Sequence, residues 1–129
     1  MILLDTHVLV WTVADSKRLS RAAAREIDKS RRHGGLAISA ISLWELAFLV
    51  TRGRIQAYGT VEASVKLLTE GVTVKPITAE ISALANQFPD DYPGDPADRL
   101  IGATARAEGM TLITRDENIR KSPLLRTVW

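Results

Sequence analysis

Hydrophobic positions follow two rhythms along this chain. The first is a short unbroken run: residues 1–4 read Met-Ile-Leu-Leu, and the run stops at Asp5. Runs of this length without polar alternation suit a strand buried on both faces. Further strand candidates lie at 36–39, at 72–75 (closed by Pro76) and at 111–114, and a last extended piece at 124–128 suits an edge strand. The second rhythm is helical. It predicts helices over 7–14, 20–32, 42–50, 60–70, 78–87 and 95–108. Ser20, Thr60, Thr78 and Asp95 are cap-type residues at the starts, Pro96 suits a first helical position, and Gly34, Gly53, Gly71 and Gly109 supply the stops. Between the last two helices, residues 88–94 form a loop that Pro89, Pro93 and Pro96 keep extended. Strands alternating with helices predict an α/β fold: a small parallel sheet of four to five strands with helices on both faces. With no linker, repeat or low-complexity tract, residues 1–129 are expected to form a single domain.

Composition narrows the function classes without choosing one. The chain has 129 residues, 46% hydrophobic and 25% charged, with a formal charge of +2. A sequence pI near 9.2 permits a nucleic-acid partner but does not demand one. The absence of cysteine removes disulfides and thiolate metal sites and accords with a cytoplasmic location. No apolar stretch reaches the roughly 20 residues that span a bilayer, so no membrane association is expected. No basic segment precedes the first strand, which argues against a signal peptide. Without a phosphate-cradling glycine loop, no nucleotide cofactor is expected.

The candidate chemistry lies in the acids. Asp5 ends the first strand, and with Thr6 it is also a good cap for the helix that follows. Glu45 lies near the start of the helix after the second strand, where Ser42 and Glu45 also make a capping-box pattern. Asp116 follows the fourth strand by two residues. Strand carboxyl ends and the helices after them share one edge of a parallel sheet, so these three acids belong on one rim. Asp98, in the first turn of the 95–108 helix, precedes its strand, and this rule does not place it. Asp95, three residues earlier, reads as that helix's cap. Each acid alone has a structural explanation. Four gathered together would repel, and hard divalent cations with oxygen ligands are the economical resolution. Two such ions can hold both the attacking and the leaving oxygen of a phosphodiester.

Other residues carry weaker signals. Arg21, Arg25, Lys29 and Arg32 share a helix face that reads as solvated. His7 is expected to pack near the first helix and His33 to lie on the surface. Trp11 and Trp44 are expected in core or interface, although indoles also stack on bases. Arg99 and Arg115 flank acids, and contact with RNA phosphate or simple charge balance would explain each.

Five ordered segments carry a resemblance: Leu4-Asp5-Thr6-His7, Ser39-Ala40-Ile41-Ser42-Leu43-Trp44-Glu45-Leu46, Gly53-Arg54-Ile55, Asp95-Pro96-Ala97-Asp98-Arg99-Leu100-Ile101 and Leu112-Ile113-Thr114-Arg115-Asp116. In these the chain resembles the PIN-domain ribonucleases, and among them the VapC-type toxins of toxin–antitoxin pairs, over its whole length. The resemblance implies a PIN-like three-layer fold and an acidic quartet of Asp5, Glu45, Asp98 and Asp116 binding Mg²⁺ or Mn²⁺. Asp5 and Asp98 would be direct ligands, Glu45 would act through water, and Asp116 would complete a second metal position. Thr6 and Thr114 would orient carboxylates or water. The implied reaction is endoribonucleolytic hydrolysis of structured RNA by in-line attack of an activated water, leaving a 5′-phosphate and a 3′-hydroxyl. A homodimer and a cognate antitoxin that places an Arg among the carboxylates are implied as partners, with Trp11, Trp44 and Phe48 as candidate contact surface. The alternatives are an RNA-processing PIN nuclease outside such pairs and a non-catalytic PIN-like module that binds RNA or protein. Gly94 and Ala97 replace bulkier residues of many relatives. Gly102 stands where Ala is common, at a helix-propensity cost of about 1 kcal/mol.

Overall fold

The computed structural model describes all residues 1–129. Five parallel strands, β1 (Ile2–Leu4), β2 (Leu36–Ser39), β3 (Thr73–Lys75), β4 (Leu112–Ile113) and β5 (Thr127–Val128), form one sheet in the order β3-β2-β1-β4-β5. The expected strand at 124–128 is therefore present, confined to its last residues. Seven α-helices cover the sheet: α1 (Thr6–Ala14), α2 (Arg21–Arg32), α3 (Ala40–Thr51), α4 (Val61–Leu68), α5 (Ala79–Gln87), α6 (Pro96–Glu108) and α7 (Glu117–Arg120). A 3-10 turn, Ser16–Arg18, and α7 are the helical pieces that the hydrophobic pattern does not announce.

Strand side chains alternate between faces, which divides the core in two. Ile2, Leu4, Leu36, Ile38 and Ile113 pack with Val8, Leu9, Ile27 and Leu46 on one side. Leu3, Ala37 and Leu112 pack with Ile81, Phe88, Tyr92, Ile101 and Ile119 on the other. The sheet thus lies between helices on both faces, as its unbroken apolar strands require. β3 is the exception, with Thr73 and Val74 exposed at the sheet edge.

The sheet order fixes where a site can form. From β1 the chain winds outward through β2 to β3, then returns to β4 on the opposite side of β1. The carboxyl ends of β1 and β4 therefore flank the switch point, where open parallel sheets leave a crevice. Asp5 follows β1, and Thr114 and Asp116 follow β4. The placement of Asp98 follows from the same geometry. A helix that feeds a parallel strand must run back toward that strand's amino end, so its own N-terminus lies on the carboxyl rim. α6 feeds β4 in this way.

One local reading needs correction. α3 starts at Ala40, capped by Ser39, whose Oγ accepts from the Ile41 amide at 3.3 Å. Ser42 and Glu45 therefore form no capping box: Ser42 is buried in the first turn and Glu45 falls in the second. Gly102 is required, whatever it costs the helix. A Cβ built there would collide with the Tyr92 hydroxyl and lie 3.1 Å from the Phe88 ring.

Candidate active site

The rim holds a network of hydroxyls and carboxylates. Asp5 caps α1: its Oδ1 accepts from the Thr6 amide at 2.9 Å, and its Oδ2 accepts from Thr114 Oγ1 at 2.7 Å. The same Thr114 oxygen accepts from the Asp116 amide at 3.1 Å. One buried hydroxyl thus ties the end of β1 to the end of β4 across the switch point. Buried Thr6 works the same way toward α3. Its hydroxyl donates to Glu45 Oε1, and since that uses its one proton, it accepts from Ser42 Oγ at 2.8 Å. Ser42, read from sequence only as a cap, is a support for Thr6. Asp116 caps α7, with Oδ1 accepting from the Asn118 and Ile119 amides at 2.8 and 3.1 Å.

The fourth acid is held differently. Asp98 makes no side-chain hydrogen bond; its backbone carbonyl accepts from the Tyr92 hydroxyl at 3.0 Å. Asp95 caps α6 as expected, its Oδ1 accepting from the Ala97 amide at 2.8 Å. Both line a pocket of about 610 Å³ together with Asp5, Glu45 and Asp116, within the ordinary size range of ligand sites. His7, Trp11, Arg115 and Glu117 complete most of its wall. Glu117 and Asp95 are acids of this pocket that the strand-end rule did not select. Glu117 follows Asp116 directly, so sequence adjacency is the signal that could have added it.

Arg99 does not face the pocket as an RNA ligand would. All five of its N–H donors are committed to backbone carbonyls: Nε to Pro93, one terminal nitrogen to Ala85 and Phe88, the other to Pro89 and Tyr92, at 3.0–3.3 Å. It fastens the proline loop and the C-terminal carbonyls of α5. Arg115 is exposed on the pocket wall. His7 is exposed, with its ring 6.1 Å from that of Trp11, and Trp44 is 63% exposed, which removes it from the core. Trp11 is half-buried against the first core cluster.

The electrostatics are those of uncompensated acids. The chain has only two ion pairs, Glu62–Lys66 and Lys75–Glu108, and neither involves the pocket. Burial pushes Asp98 up to about 7, with Asp5, Asp95, Asp116 and Glu45 all adding repulsion. Burial also raises Asp5, although the Thr114 and Thr6 bonds pull it back. Glu45 is raised by burial, against the Thr6 bond. An all-oxygen donor set with no cationic side chain paired to it fits a hard divalent ion. No three of the acids lie close enough together to make a ready coordination group.

A second, larger cavity of about 720 Å³ lies elsewhere, among Leu9, Val13, Tyr58 and Leu67. It is mainly apolar and holds none of the quartet, so the chemistry belongs to the smaller, acidic pocket.

Comparison with known proteins agrees with this arrangement. The PIN domain family matches residues 2–123. Ribonuclease VapC22 of Mycobacterium tuberculosis (strain ATCC 25618 / H37Rv) is 42% identical over 130 residues, covering 99% of this chain and 98% of the relative. The fold matches VapBC2 from Rickettsia felis, solved bound to a DNA fragment from their promoter, with a TM-score of 0.76 at 19% identity, covering 99% and 98% of the two chains. It also matches VapBC-1 from nontypeable Haemophilus influenzae, with a TM-score of 0.74 at 21% identity, covering 99% and 97%. With the acids on the switch-point rim and a 42% identical relative over nearly its full length, the chain belongs to the PIN-domain family and, within it, to the VapC-type ribonucleases.

Proposed function

We propose that this chain is a metal-dependent endoribonuclease acting on structured RNA, a single cytoplasmic domain of residues 1–129 that serves as the toxin of a toxin–antitoxin pair. The observation that carries the reading is the set of carboxylates around Asp98, none of which forms an ion pair. Asp5 and Asp98 would hold Mg²⁺ or Mn²⁺ directly, and Glu45 and Asp116 would complete the coordination. When bound, the ions supply charge neutralisation of the phosphate and activation of water. The protein's own part is orientation. Thr114 sets the Asp5 carboxylate and the Asp116 amide at once, and Thr6 aims Glu45 while Ser42 fixes Thr6. Tyr92 and Arg99 hold the backbone that presents Asp98 and leave its carboxylate free for a ligand.

Two apolar surfaces support the expected antitoxin and second copy of the chain. One is the cavity beside Val13, Tyr58 and Leu67. The other is the exposed stack of Trp44 on Phe48, with ring centroids 5.5 Å apart. The name ribonuclease on a 42% identical relative and the VapBC complexes among the structural matches favour the same reading.

Incubating purified protein with structured RNA and Mg²⁺ or Mn²⁺ tests the chemistry. Cleavage is expected with either ion, with loss of at least a hundredfold in Asp5→Asn. Activity that survives Asp5→Asn or excess EDTA would overturn the metal-dependent reading. A small neighbouring reading frame encoding a DNA-binding protein would support the toxin assignment, and harmless expression of the wild-type chain alone would count against it.

A further inference from the structure

One wall of the acidic pocket is neither acidic nor part of the hydroxyl network. Trp11, in the second turn of α1, lines the pocket with Asp5, Asp98 and Asp116. Its indole meets the Trp129 ring at 5.8 Å between centroids, tilted by 56°. Two guanidinium carbons lie near the same indole, Arg18 Cζ at 5.1 Å and Arg115 Cζ at 5.9 Å from the ring centroid. Both distances are within the range of cation–π attraction.

The position of Arg115 is the informative one. It precedes Asp116 and lines a pocket crowded with acids, where an arginine ordinarily forms a forked pair with a carboxylate. Here neither Arg115 nor Arg18 takes part in an ion pair. Both are exposed, and both rest on Trp11. The indole, itself packed on the core, carries both guanidiniums, and Arg115 lines the acidic pocket without pairing with an acid. An RNA strand entering this pocket meets repulsion from every carboxylate. Ions among the acids would neutralise the phosphate being cut and do little for its neighbours. A guanidinium pair held on an indole has the charge those phosphates need, and Trp129, against the same indole and lining the adjoining depression, offers a ring for a base. The basic surface also continues. A depression that shares Glu117 with the acidic pocket is lined by Trp129, Arg120 and Lys121.

We infer that Trp11, Arg18, Arg115 and Trp129 form a nucleotide subsite that binds the RNA residue next to the scissile phosphate, the guanidiniums on its phosphate and the indoles against its base. This rests on the ribonuclease reading of the acidic pocket. The test measures binding separately from cleavage, so the two ideas fail differently.

Full-length protein is titrated with fluorescein-labelled single-stranded RNA, in Ca²⁺ and across a salt series, following anisotropy and tryptophan emission. Arg115→Ala and Arg18→Ala are each expected to weaken binding about three- to tenfold and to reduce the salt slope by about 0.7. RNA is expected to quench tryptophan emission, and Trp11→Phe, which keeps a ring on the core, should lose much of that quench. Trp44→Phe, at an indole outside the pocket, should retain it. The subsite is overturned if wild type binds no RNA, or if the arginine variants bind with wild-type affinity and slope. It is equally overturned if those variants bind RNA normally but lose a co-expressed antitoxin, which would make the wall a protein-docking surface. Wild type that binds RNA as described and never cleaves it would instead sink the ribonuclease reading and leave the nucleotide subsite supported.

Discussion

The two halves of the acidic pocket are held in opposite ways. On the sheet side, side chains hold side chains: Thr114 bonds the Asp5 carboxylate and Thr6 bonds that of Glu45. On the α6 side, side chains hold backbone: Tyr92 bonds the Asp98 carbonyl, Arg99 bonds five carbonyls of the approaching loop and helix end, and the Asp98 carboxylate itself is left unbonded. The first half fixes the direction of each carboxylate. The second fixes the backbone and leaves the carboxylate without a hydrogen-bond partner. If the proposed cation binds here, Asp98 is the member free to adjust to it.

The largest expected effect comes from breaking the α6 side at Arg99. Arg99→Ala strips five carbonyls of their partner, the Ala85 carbonyl at the α5 terminus among them. Charged hydrogen bonds and a helix C-terminus left without its cation should cost about 3 kcal/mol or more in urea unfolding. Loop 88–95 should become a site of proteolysis, and cleavage of RNA should fall with it. Arg99→Lys should not rescue, because an ammonium cannot reproduce a planar fork of five donors. A variant with wild-type unfolding and a protease-resistant loop would show that the loop is held by its prolines alone.

Arg99 also shows where sequence reading stops. Beside Asp98 it looks like a phosphate ligand, because the carbonyls it serves are supplied by residues 6 to 14 positions earlier and become neighbours only when the proline loop folds back. Asp98 is the converse case. Its place on the rim was legible: a helix feeding a parallel strand must begin where strands end, a corollary that counting strand ends alone leaves out. Ser42 was misassigned because Ser39 and Ser42 are both cap-type residues, and only the extent of β2 decides between them. The parallel sheet, the single-residue caps at Ser20, Thr60, Thr78 and Asp95, and the stop at Gly109 were written in local patterns and appear as read. What depended on contacts between distant segments was not.

A smaller effect is expected at Gly102, where two principles point in opposite directions. Helix propensity alone makes Gly102→Ala stabilising by about 1 kcal/mol. The Tyr92 hydroxyl, in the way of the added carbon, makes it destabilising. Tyr92 cannot retreat without releasing the Asp98 carbonyl, so the clash should win by about 1–3 kcal/mol. Tyr92→Phe in the same chain should return part of that loss, giving a coupling of at least about 0.5 kcal/mol in a double-mutant cycle. Additive effects would mean that Tyr92 and Gly102 do not constrain each other.

The smallest expected effect separates the two halves by pH. Burial and the surrounding acids raise Asp98 to about 7 in the folded chain, well above an unfolded aspartate near 4. The folded state therefore binds the proton more tightly than the unfolded one. Its contribution to stability is complete below about pH 4 and is lost as pH rises through about 7. At neutral pH without metal the folded chain must carry either a proton or an unfavourable charge at this position. Asp98→Asn removes that burden while keeping size and shape. Because Asp98 is only half-buried, solvent screening reduces the gain to on the order of 1–2 kcal/mol at neutral pH. Near pH 4 the variant and the wild type should melt alike. Mn²⁺ reverses the ranking: by binding the folded state it should raise the wild-type melting temperature with concentration, and Asp98→Asn should lose most of that response. Thr114→Val, by contrast, should keep the pH dependence that Asp98 contributes near neutrality, while raising Asp5 further and weakening the Mn²⁺ response. Thermal melts of the three proteins at pH 4, 5.5 and 7.5, with and without Mn²⁺, distinguish these outcomes. If Asp98→Asn melts below wild type at neutral pH without metal and still responds fully to Mn²⁺, Asp98 is not the adjustable ligand.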